Sequence, residues 1–506
     1  MSRTKNSFLN VMTSIGGQLL TNILRWICRI AFIHTLGKDY LGISSLYANI
    51  LTILSLSELG LGSAITYSLY KPLSENDTET VKSLMAFFKK AYRWIGIAVL
   101  GLGLCLMPFL PYLMTGSTEI INIYLYYLLY LAQTVVSYLF FAYKAILLTA
   151  DQKKYIVDVV MYILQIVMNA VQIVILFVWR SFFAYTAAVI AYNIVQNMVV
   201  AFIVDRKYPY LKGPAKKLSR EQRRDVFSRV YAMSLYRISS VVGTATDNLI
   251  ISANISVIVV GLYDNYNMII QVIQKLLKGV FEAFTSSLGN FYVLESRERN
   301  EFMFRALNLA NSWLVVFCSV CFVVLLQPFI QLCFGVEYVL DYMVVIIIVI
   351  NFATNYMQNV VQIYKDASGL FVKGKYRAVM TAVLNLGISI ILVRRIGLAG
   401  VFLGSIISRM VTTWWYDAWL LYRHGFHKSP LPYFRNCLAT TVLIIVSTAL
   451  VEWLTQIWQK VTWPGIFIKG FFCVVVVNGI YLLLYGRSKE FKYLLGKVKL
   501  ILKKKH

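Results

Sequence analysis

The chain consists of long apolar segments separated by short polar connections, and this pattern runs along almost its whole length. A bilayer core about 30 Å thick is crossed by roughly 20 apolar residues in a helix. We place such segments at 8–36, 39–69, 93–115, 121–149, 156–179, 182–204, 228–252, 255–289, 307–335, 341–365, 377–394, 396–422, 436–457 and 465–486. The pattern predicts an all-α integral membrane protein with about fourteen transmembrane helices.

Composition points to lipid as the main environment of the chain. Of its 506 residues, 59% are hydrophobic and 14% are charged, and the mean hydropathy is +0.66. A soluble protein carries about 25% charged residues. We therefore exclude a water-soluble domain as the main body of the protein and expect membrane lipids among its partners.

The basic residues are distributed unevenly between the two ends of the predicted helices. The net charge is +26, and 37 of the 49 Lys and Arg residues lie in alternate connections, starting with the N-terminus, whereas the opposite connections hold five. Connections rich in Lys and Arg remain in the cytoplasm. Both termini are predicted to be cytoplasmic, in a multi-pass protein of the cell membrane. Because these charges lie between apolar segments, we expect no nucleic-acid partner.

The longest polar break, around 205–229, contains Pro209, Gly213 and Pro214, and it separates two sets of six spans. A weak internal repeat, from Gly42 and again from Gly261, also suggests repeated halves. The predicted parts are an N-terminal six-helix lobe at 1–204, a cytoplasmic linker at 205–227, a C-terminal six-helix lobe at 228–422, two extra transmembrane helices at 423–486 and a basic amphipathic cytoplasmic tail at 487–506.

Two basic segments have apolar residues at helical spacing. In 71–93 these residues are Val81, Leu84, Phe87 and Phe88, and the tail repeats the pattern. Both segments are predicted to be amphipathic helices on the inner leaflet, and the alternative for the tail is a solvated run of charge. Elsewhere, Gly397, Gly400 and Gly404 are predicted to allow close helix packing.

Cationic side chains recur inside the predicted spans, on polar faces with steps of three and four residues. They are Arg25, Arg29, Arg237, Lys275, Lys278 and Arg409. Each would cost roughly 2.5–3.5 kcal/mol at the bilayer centre, so each must be paired, hydrated or close to a helix end. We predict that they line a water-filled cationic cavity between the halves and bind an anionic substrate. The alternative is that they are paired structural ions.

Other polar residues within the spans have two possible roles. The acids Glu58, Asp247, Asp264 and Glu282 could couple transport to an ion or could neutralise nearby cations. The neutral residues Gln18, Asn22, Asn355 and Gln358 are predicted to line the cavity, or to join helices by hydrogen bonds. The tyrosines of span four, Tyr124, Tyr126, Tyr127 and Tyr130, suggest an interface belt, with sugar stacking as the alternative. No catalytic motif, metal site or cofactor site is apparent, and we expect no enzyme activity.

Two stretches carry a resemblance to a known family: LSELGLGSAI, from Leu56, and TDNLIIS, from Thr246. They resemble the polysaccharide-repeat (Wzx-type) flippases of the multidrug/oligosaccharidyl-lipid/polysaccharide (MOP) exporter superfamily, and the architectural resemblance covers essentially the whole chain. It implies a V-shaped bundle of two six-helix lobes, two peripheral C-terminal helices and alternating access. The implied substrate is an undecaprenyl-pyrophosphate-linked oligosaccharide repeat unit, moved to the outer leaflet for surface polysaccharide biosynthesis. Glycan assembly enzymes are the implied protein partners.

Three other functions are considered. A lipid II-type flippase would share the helix plan and the cationic cavity, and another MOP exporter would share the fold. Exporters of cationic drugs would be expected to have an acidic cavity, whereas these spans are basic. A membrane polysaccharide polymerase is disfavoured because the outer connections are too short to form a catalytic subdomain.

Overall fold

The computed structural model describes residues 3–55, 61–114, 122–216, 218–221, 223–224, 226, 246–368, 370, 375–458 and 460–503. These residues form helices and turns, and the described part of the chain contains no strand. The prediction of an all-α protein is therefore confirmed. The chain divides into two compact units, Met1–Gly261 and Leu262–His506.

The first unit is built from eight labelled helices and a helical stretch at 246–254. They are α1 (Arg3–Leu54), α2 (Leu61–Ser74), α3 (Thr78–Leu106), α4 (Leu110–Leu113), α5 (Ile123–Leu139), α6 (Tyr143–Ala150), α7 (Lys154–Val178) and α8 (Phe182–Lys207). Short polar side chains fix several starts: Asp77 accepts a hydrogen bond from the backbone of Thr80 at 3.0 Å, and Ser181 accepts one from Ala184 at 3.3 Å.

The second unit begins within the first turns of α9 and includes two π-helical turns, Met410–Trp414 and Leu421–Phe426. Its helices are α9 (Val257–Leu294), α10 (Arg297–Phe334), α11 (Tyr342–Tyr356), α12 (Asn359–Ala367), α13 (Lys375–Ile396), α14 (Leu398–Arg409), α15 (Trp415–Leu420), α16 (Leu431–Leu454), α17 (Trp463–Tyr485) and α18 (Lys489–Lys503). His427 caps the second π-helical turn in a left-handed conformation with φ 55°.

Among the described residues, eight helices are long and apolar enough to cross a membrane, or nine if the bent pair α5 and α6 counts as one span. The predicted spans that fail this test are the first, second, seventh, eighth and twelfth. Polar and charged residues lower the mean hydropathy of the first and eighth spans, and the two π-helical turns divide the twelfth into short helices. Part of the second span and most of the seventh lie outside the described residues.

Helix α1 contains the predicted boundary between spans one and two. It bends at Gly37, whose φ of 82° and ψ of −175° are not helical. Glycine adopts positive φ without the steric cost of a side chain. Of the second span, which was predicted to continue to residue 69, the structure describes the end of α1 at Leu54 and α2 from Leu61, and 56–60 lie outside the described residues.

The predicted amphipathic helix of 71–93 packs differently from expectation. Helix α3 begins at Thr78, continues into the third span, and buries Val81, Leu84 and Phe88 in the core of the first unit, each at most 4% exposed. Its apolar face therefore packs against protein, and the prediction that this face lies on the leaflet was wrong for these residues. Burial of such a face against other helices stabilises the unit.

The tail begins as a helix attached to the second unit. Glu490 of α18 lies 3.5 Å from Arg305 of α10, and the Tyr493 ring meets Phe302 edge-on with 5.5 Å between centroids. Phe491 packs against the core formed by α10, α16 and α17. The first turns of the tail are therefore docked on protein rather than being a solvated run of charge.

Glycine permits close backbone contact at two helix crossings. A Cβ at Gly42 would lie 2.3 Å from the Val257 carbonyl oxygen, and one at Gly400 would lie 2.4 Å from the backbone of Leu392. The packing role predicted for Gly400 is confirmed. Gly397 has a different role, because it forms the turn between α13 and α14 with φ 59°.

Candidate functional site

The cations predicted on α1 lie one turn apart. The Arg25 side chain is exposed and the Arg29 side chain is half-buried. Arg25 is close enough to the Tyr192 hydroxyl, and Arg29 to those of Tyr130 and Tyr185, for electrostatic interaction. Tyrosine hydroxyls are therefore among the neighbours of both guanidinium groups.

Helix α1 packs along α7, and the Cys28 thiol donates to Gln172 Oε1 across this contact at 3.6 Å. Within α7, Gln165 Nε2 donates to Asn169 Oδ1 at 3.3 Å. Asn169 and Gln172 are buried. The polar face of α7 thus serves helix packing, which is the role that amides commonly have within membranes.

The tyrosines of the fourth span are divided between interior and surface. Tyr127 is fully buried and donates to the Gly103 carbonyl at 2.9 Å, whereas Tyr124 is exposed. The Tyr130 hydroxyl lies 2.7 Å from Ser44 Oγ. Tyr127 and Tyr130 therefore do not belong to an interface belt, since both are held by contacts with neighbouring helices.

In the second unit, Arg409 ends α14 immediately before the π-helical turn Met410–Trp414. Its guanidinium donates to the Asn351 carbonyl at 3.2 Å, to Asn351 Oδ1 at 3.0 Å and to Thr354 Oγ1 at 3.2 Å. These acceptors on α11 are neutral oxygens. They orient the guanidinium without cancelling its positive charge.

Gln358 supports the same π-helical turn. Its side chain is 1% exposed, and Nε2 donates to the Trp414 carbonyl at 2.6 Å. A π-helical turn interrupts the regular backbone hydrogen bonds, so a buried side-chain donor stabilises it. Gln358, predicted to line the cavity, therefore joins two helices, whereas Asn355 is exposed.

A buried ion pair lies nearby that the sequence did not predict. Lys365 Nζ is 2.7 Å from Asp417 Oδ2, and the exposed fractions of the two side chains are 16% and 4%. On the same side of the unit, the Arg377 guanidinium lies 3.2 Å from the centroid of the Tyr416 ring and donates to the Thr412 carbonyl at 3.1 Å. One feature of the sequence could have indicated this ion pair, because Asp417 is a charged residue inside an apolar predicted span.

The remaining predicted site residues differ in exposure. On α9, the Lys275 and Lys278 side chains are exposed and Asp264 is half-buried; Asp247 is buried and Asn22 on α1 is half-buried. Arg237 and Glu58 lie outside the described residues, as do the side chains of Gln18 and Glu282.

No protein-family model and no curated protein matches this chain. Among solved structures, the lipid II flippase MurJ in an inward closed conformation matches with a TM-score of 0.66 and 15% identity, over 94% of this chain and 99% of that chain. The chain has the fold of the MOP-superfamily transporters.

Two further structures share the MOP fold. An inward-facing multidrug resistance MATE family transporter matches with a TM-score of 0.58 and 16% identity, over 83% of this chain and 95% of that chain. The Vibrio cholerae MATE transporter VcmN matches with a TM-score of 0.52 and 16% identity, over 85% and 97%. These three proteins are a flippase and transporters rather than enzymes. The MOP fold and the apolar helices make this chain a multi-pass membrane protein.

Proposed function

We propose that this protein is a flippase that moves undecaprenyl-pyrophosphate-linked oligosaccharide repeat units from the inner to the outer leaflet of the cell membrane. The observations that carry the proposal are two cations one turn apart on α1, Arg25 with an exposed and Arg29 with a half-buried side chain, and the fold shared with a lipid II flippase. Cations at these positions can attract an anionic headgroup. Arginine can hold two phosphate oxygens at once, and lysine acts as a point charge.

The proposed arrangement follows the charge pattern. Both termini and the 205–227 linker are cytoplasmic, the lobes are 1–204 and 228–422, and glycan assembly enzymes supply the substrate on the inner side. Arg25, Arg29, Arg237, Lys275, Lys278 and Arg409 contribute to one cavity during alternating access. Glu58, Asp247, Asp264 and Glu282 are the candidates for ion coupling or charge pairing.

The membrane potential can drive this movement. A pyrophosphate diester carries about two negative charges, and moving a negative charge outward is favourable by about 2.3 kcal/mol per 100 mV of inside-negative potential. Two uncompensated charges would gain roughly 4–5 kcal/mol. Fixed cations replace part of the water shell of the headgroup and thereby lower the barrier.

Lipid II is the second candidate substrate, because the MurJ flippase has the same fold. A drug substrate is less well supported, since a cationic drug would meet like charges. The two lipids are compared by placing fluorescent lipid II, or a fluorescent undecaprenyl-pyrophosphate oligosaccharide, in sealed vesicles with purified protein and measuring arrival at the opposite leaflet. We expect at least tenfold faster movement of the oligosaccharide lipid. Faster movement of lipid II would contradict the proposal and favour lipid II as the transported substrate.

The cationic residues are tested in the same vesicles. Arg25→Gln/Arg29→Gln should reduce transport at least tenfold without loss of folded protein. The matched control is Lys71→Gln/Lys90→Gln, which removes two positive charges from the first unit at exposed positions outside the spans. Equal transport by both double variants would exclude the substrate-binding role of α1.

Topology is tested separately, in a variant whose seven native cysteines are replaced. Single cysteines at positions 213 and 500 should resist a membrane-impermeant thiol reagent applied to intact cells. Labelling at both positions before cell lysis would reverse the proposed orientation.

A further inference from the structure

The first unit contains a pocket of about 140 Å³, lined by Lys89 and Arg93 of α3, by residues 138–141 and by Tyr143. A single bound water needs about 10–15 Å³ of such volume. The pocket can therefore hold a polyatomic group the size of a phosphate. None of the residues predicted to bind the transported substrate lines it.

The aromatic wall of the pocket is formed where α5 breaks and α6 begins, at a bend of 49°. Phe141 has a φ of 58°, a left-handed conformation that bulky residues seldom adopt. The turn is held by the Lys144 amide, which donates to the Phe141 carbonyl at 2.9 Å, and by the Lys144 ammonium, 5.0 Å from the centroid of the Phe141 ring. Strained backbone of this kind is concentrated at functional sites.

The positive charges at the pocket differ in their partners. Lys144 behind the wall is neutralised by Asp205 at 2.6 Å. Lys89 and Arg93 are both exposed, and no carboxylate among the described residues forms a salt bridge with either. Arg93 does interact electrostatically with the Tyr143 hydroxyl, which carries no charge. The pocket therefore presents two positive charges to an incoming group.

Apolar surface adjoins these charges. Phe140 and Phe141, which line the pocket, are 37% and 38% exposed. By the charge pattern, this end of α3 lies at the inner leaflet.

We propose that this pocket binds the phosphate of an anionic phospholipid from the inner leaflet. Arg93 holds the phosphate oxygens, Lys89 adds a second charge, and the lipid chains lie along Phe140 and Phe141. Free phosphate offers the same oxygens, but it leaves the apolar surface uncovered. This site is independent of which lipid the protein transports.

The test uses the purified full-length protein in a neutral detergent, and bound lipids are counted by native mass spectrometry. The probes are dioleoyl phosphatidylglycerol, dioleoyl phosphatidylcholine and inorganic phosphate. Phosphatidylglycerol should bind in preference to phosphatidylcholine. Because each basic residue contributes about fivefold to the attraction of an anionic lipid, Lys89→Gln/Arg93→Gln should weaken its binding roughly 25-fold.

The matched control is Lys90→Gln/Arg206→Gln, which removes the same charge from two exposed residues outside the pocket. This control should bind phosphatidylglycerol as the unchanged protein does, and size-exclusion chromatography should show that all variants are folded. Equal weakening in both double variants would mean diffuse attraction and would overturn the proposal. Displacement of the lipid by millimolar phosphate would overturn it as well, in favour of a free-phosphate site.

Discussion

Lys365 and Arg409 are both cations within predicted spans of the second unit, yet their partners differ in charge. Lys365 lies 2.7 Å from the buried carboxylate of Asp417. Arg409 donates to a carbonyl, an amide oxygen and a hydroxyl of α11. The first cation is paired with a carboxylate, whereas the second is oriented by hydrogen bonds to neutral acceptors.

This difference separates two roles for a cation in lipid. A buried ion pair is costly to break, because removal of one partner leaves an uncompensated charge. A cation held by neutral oxygens can still attract an anion. Lys365 therefore has a structural role. Under the proposed function, Arg409 attracts the substrate.

The largest expected effect is on the ion pair. Lys365→Met leaves the Asp417 carboxylate buried without its partner and should lower the free energy of unfolding by about 3–5 kcal/mol. Thermal unfolding in detergent measures the loss. The double variant Lys365→Met/Asp417→Leu removes both charges and should recover most of the stability. A single variant as stable as the unchanged protein would contradict the structural role.

Arg409→Gln should separate transport from stability. The loss of hydrogen bonds from a charged donor should cost about 1.5–3 kcal/mol, less than the Lys365 change. Transport of the lipid-linked oligosaccharide in vesicles should fall at least tenfold. Arg409→Lys, which keeps the charge, should retain more transport than the glutamine variant. If the two variants transport equally well, the charge of Arg409 is not what matters.

The Gln358→Leu variant tests how much of the loss of transport expected in Arg409→Gln comes from the adjoining π-helical turn. It removes the donor to the Trp414 carbonyl and should cost about 1–2 kcal/mol of stability. Gln362→Leu, an exposed position four residues further on in α12, is the matched control and should change little. Should Gln358→Leu reduce transport as strongly as Arg409→Gln at equal abundance, the geometry of the turn would be the decisive feature.

The smallest effect is expected at Asp77, an exposed carboxylate that contrasts with Asp417. Hydrogen bonds from the side chain and backbone of Thr80 lower the pKa of Asp77 from its ordinary value of 3.8. A lowered folded pKa means that its stabilisation is present above pH 3.8 and is lost as the pH falls through the folded pKa. Asp77→Ala should therefore lower Tm slightly at neutral pH, and the difference should vanish in acid.

Asp77→Asn is the control for this carboxylate. It keeps a capping oxygen and should retain most of the stability with less dependence on pH. A large loss of Tm in Asp77→Ala at neutral pH would show that exposure is a poor guide to the strength of a carboxylate contact in this protein.

Several elements followed directly from the sequence. The apolar segments that became α7, α8, α16 and α17 were placed within about five residues, because a bilayer demands a long uninterrupted run. Helix α10 ends where predicted but begins at Arg297, before the predicted start at 307. The face of 71–93 was recognised as amphipathic, but its partner was misjudged. An apolar stripe looks the same whether it meets lipid or protein, and only the packing of Val81 and Phe88 distinguished them.

The sequence by itself determined the solvent of this protein, its helical class and the uneven distribution of its positive charge, because these depend on local composition. The partner of each charge was decided by the tertiary structure. Lys365 and Asp417 are 52 positions apart, and neither helical spacing nor hydropathy relates residues at that separation. The π-helical turn after Arg409 was likewise decided by the tertiary structure, since a continuous helix would have satisfied the local pattern equally well.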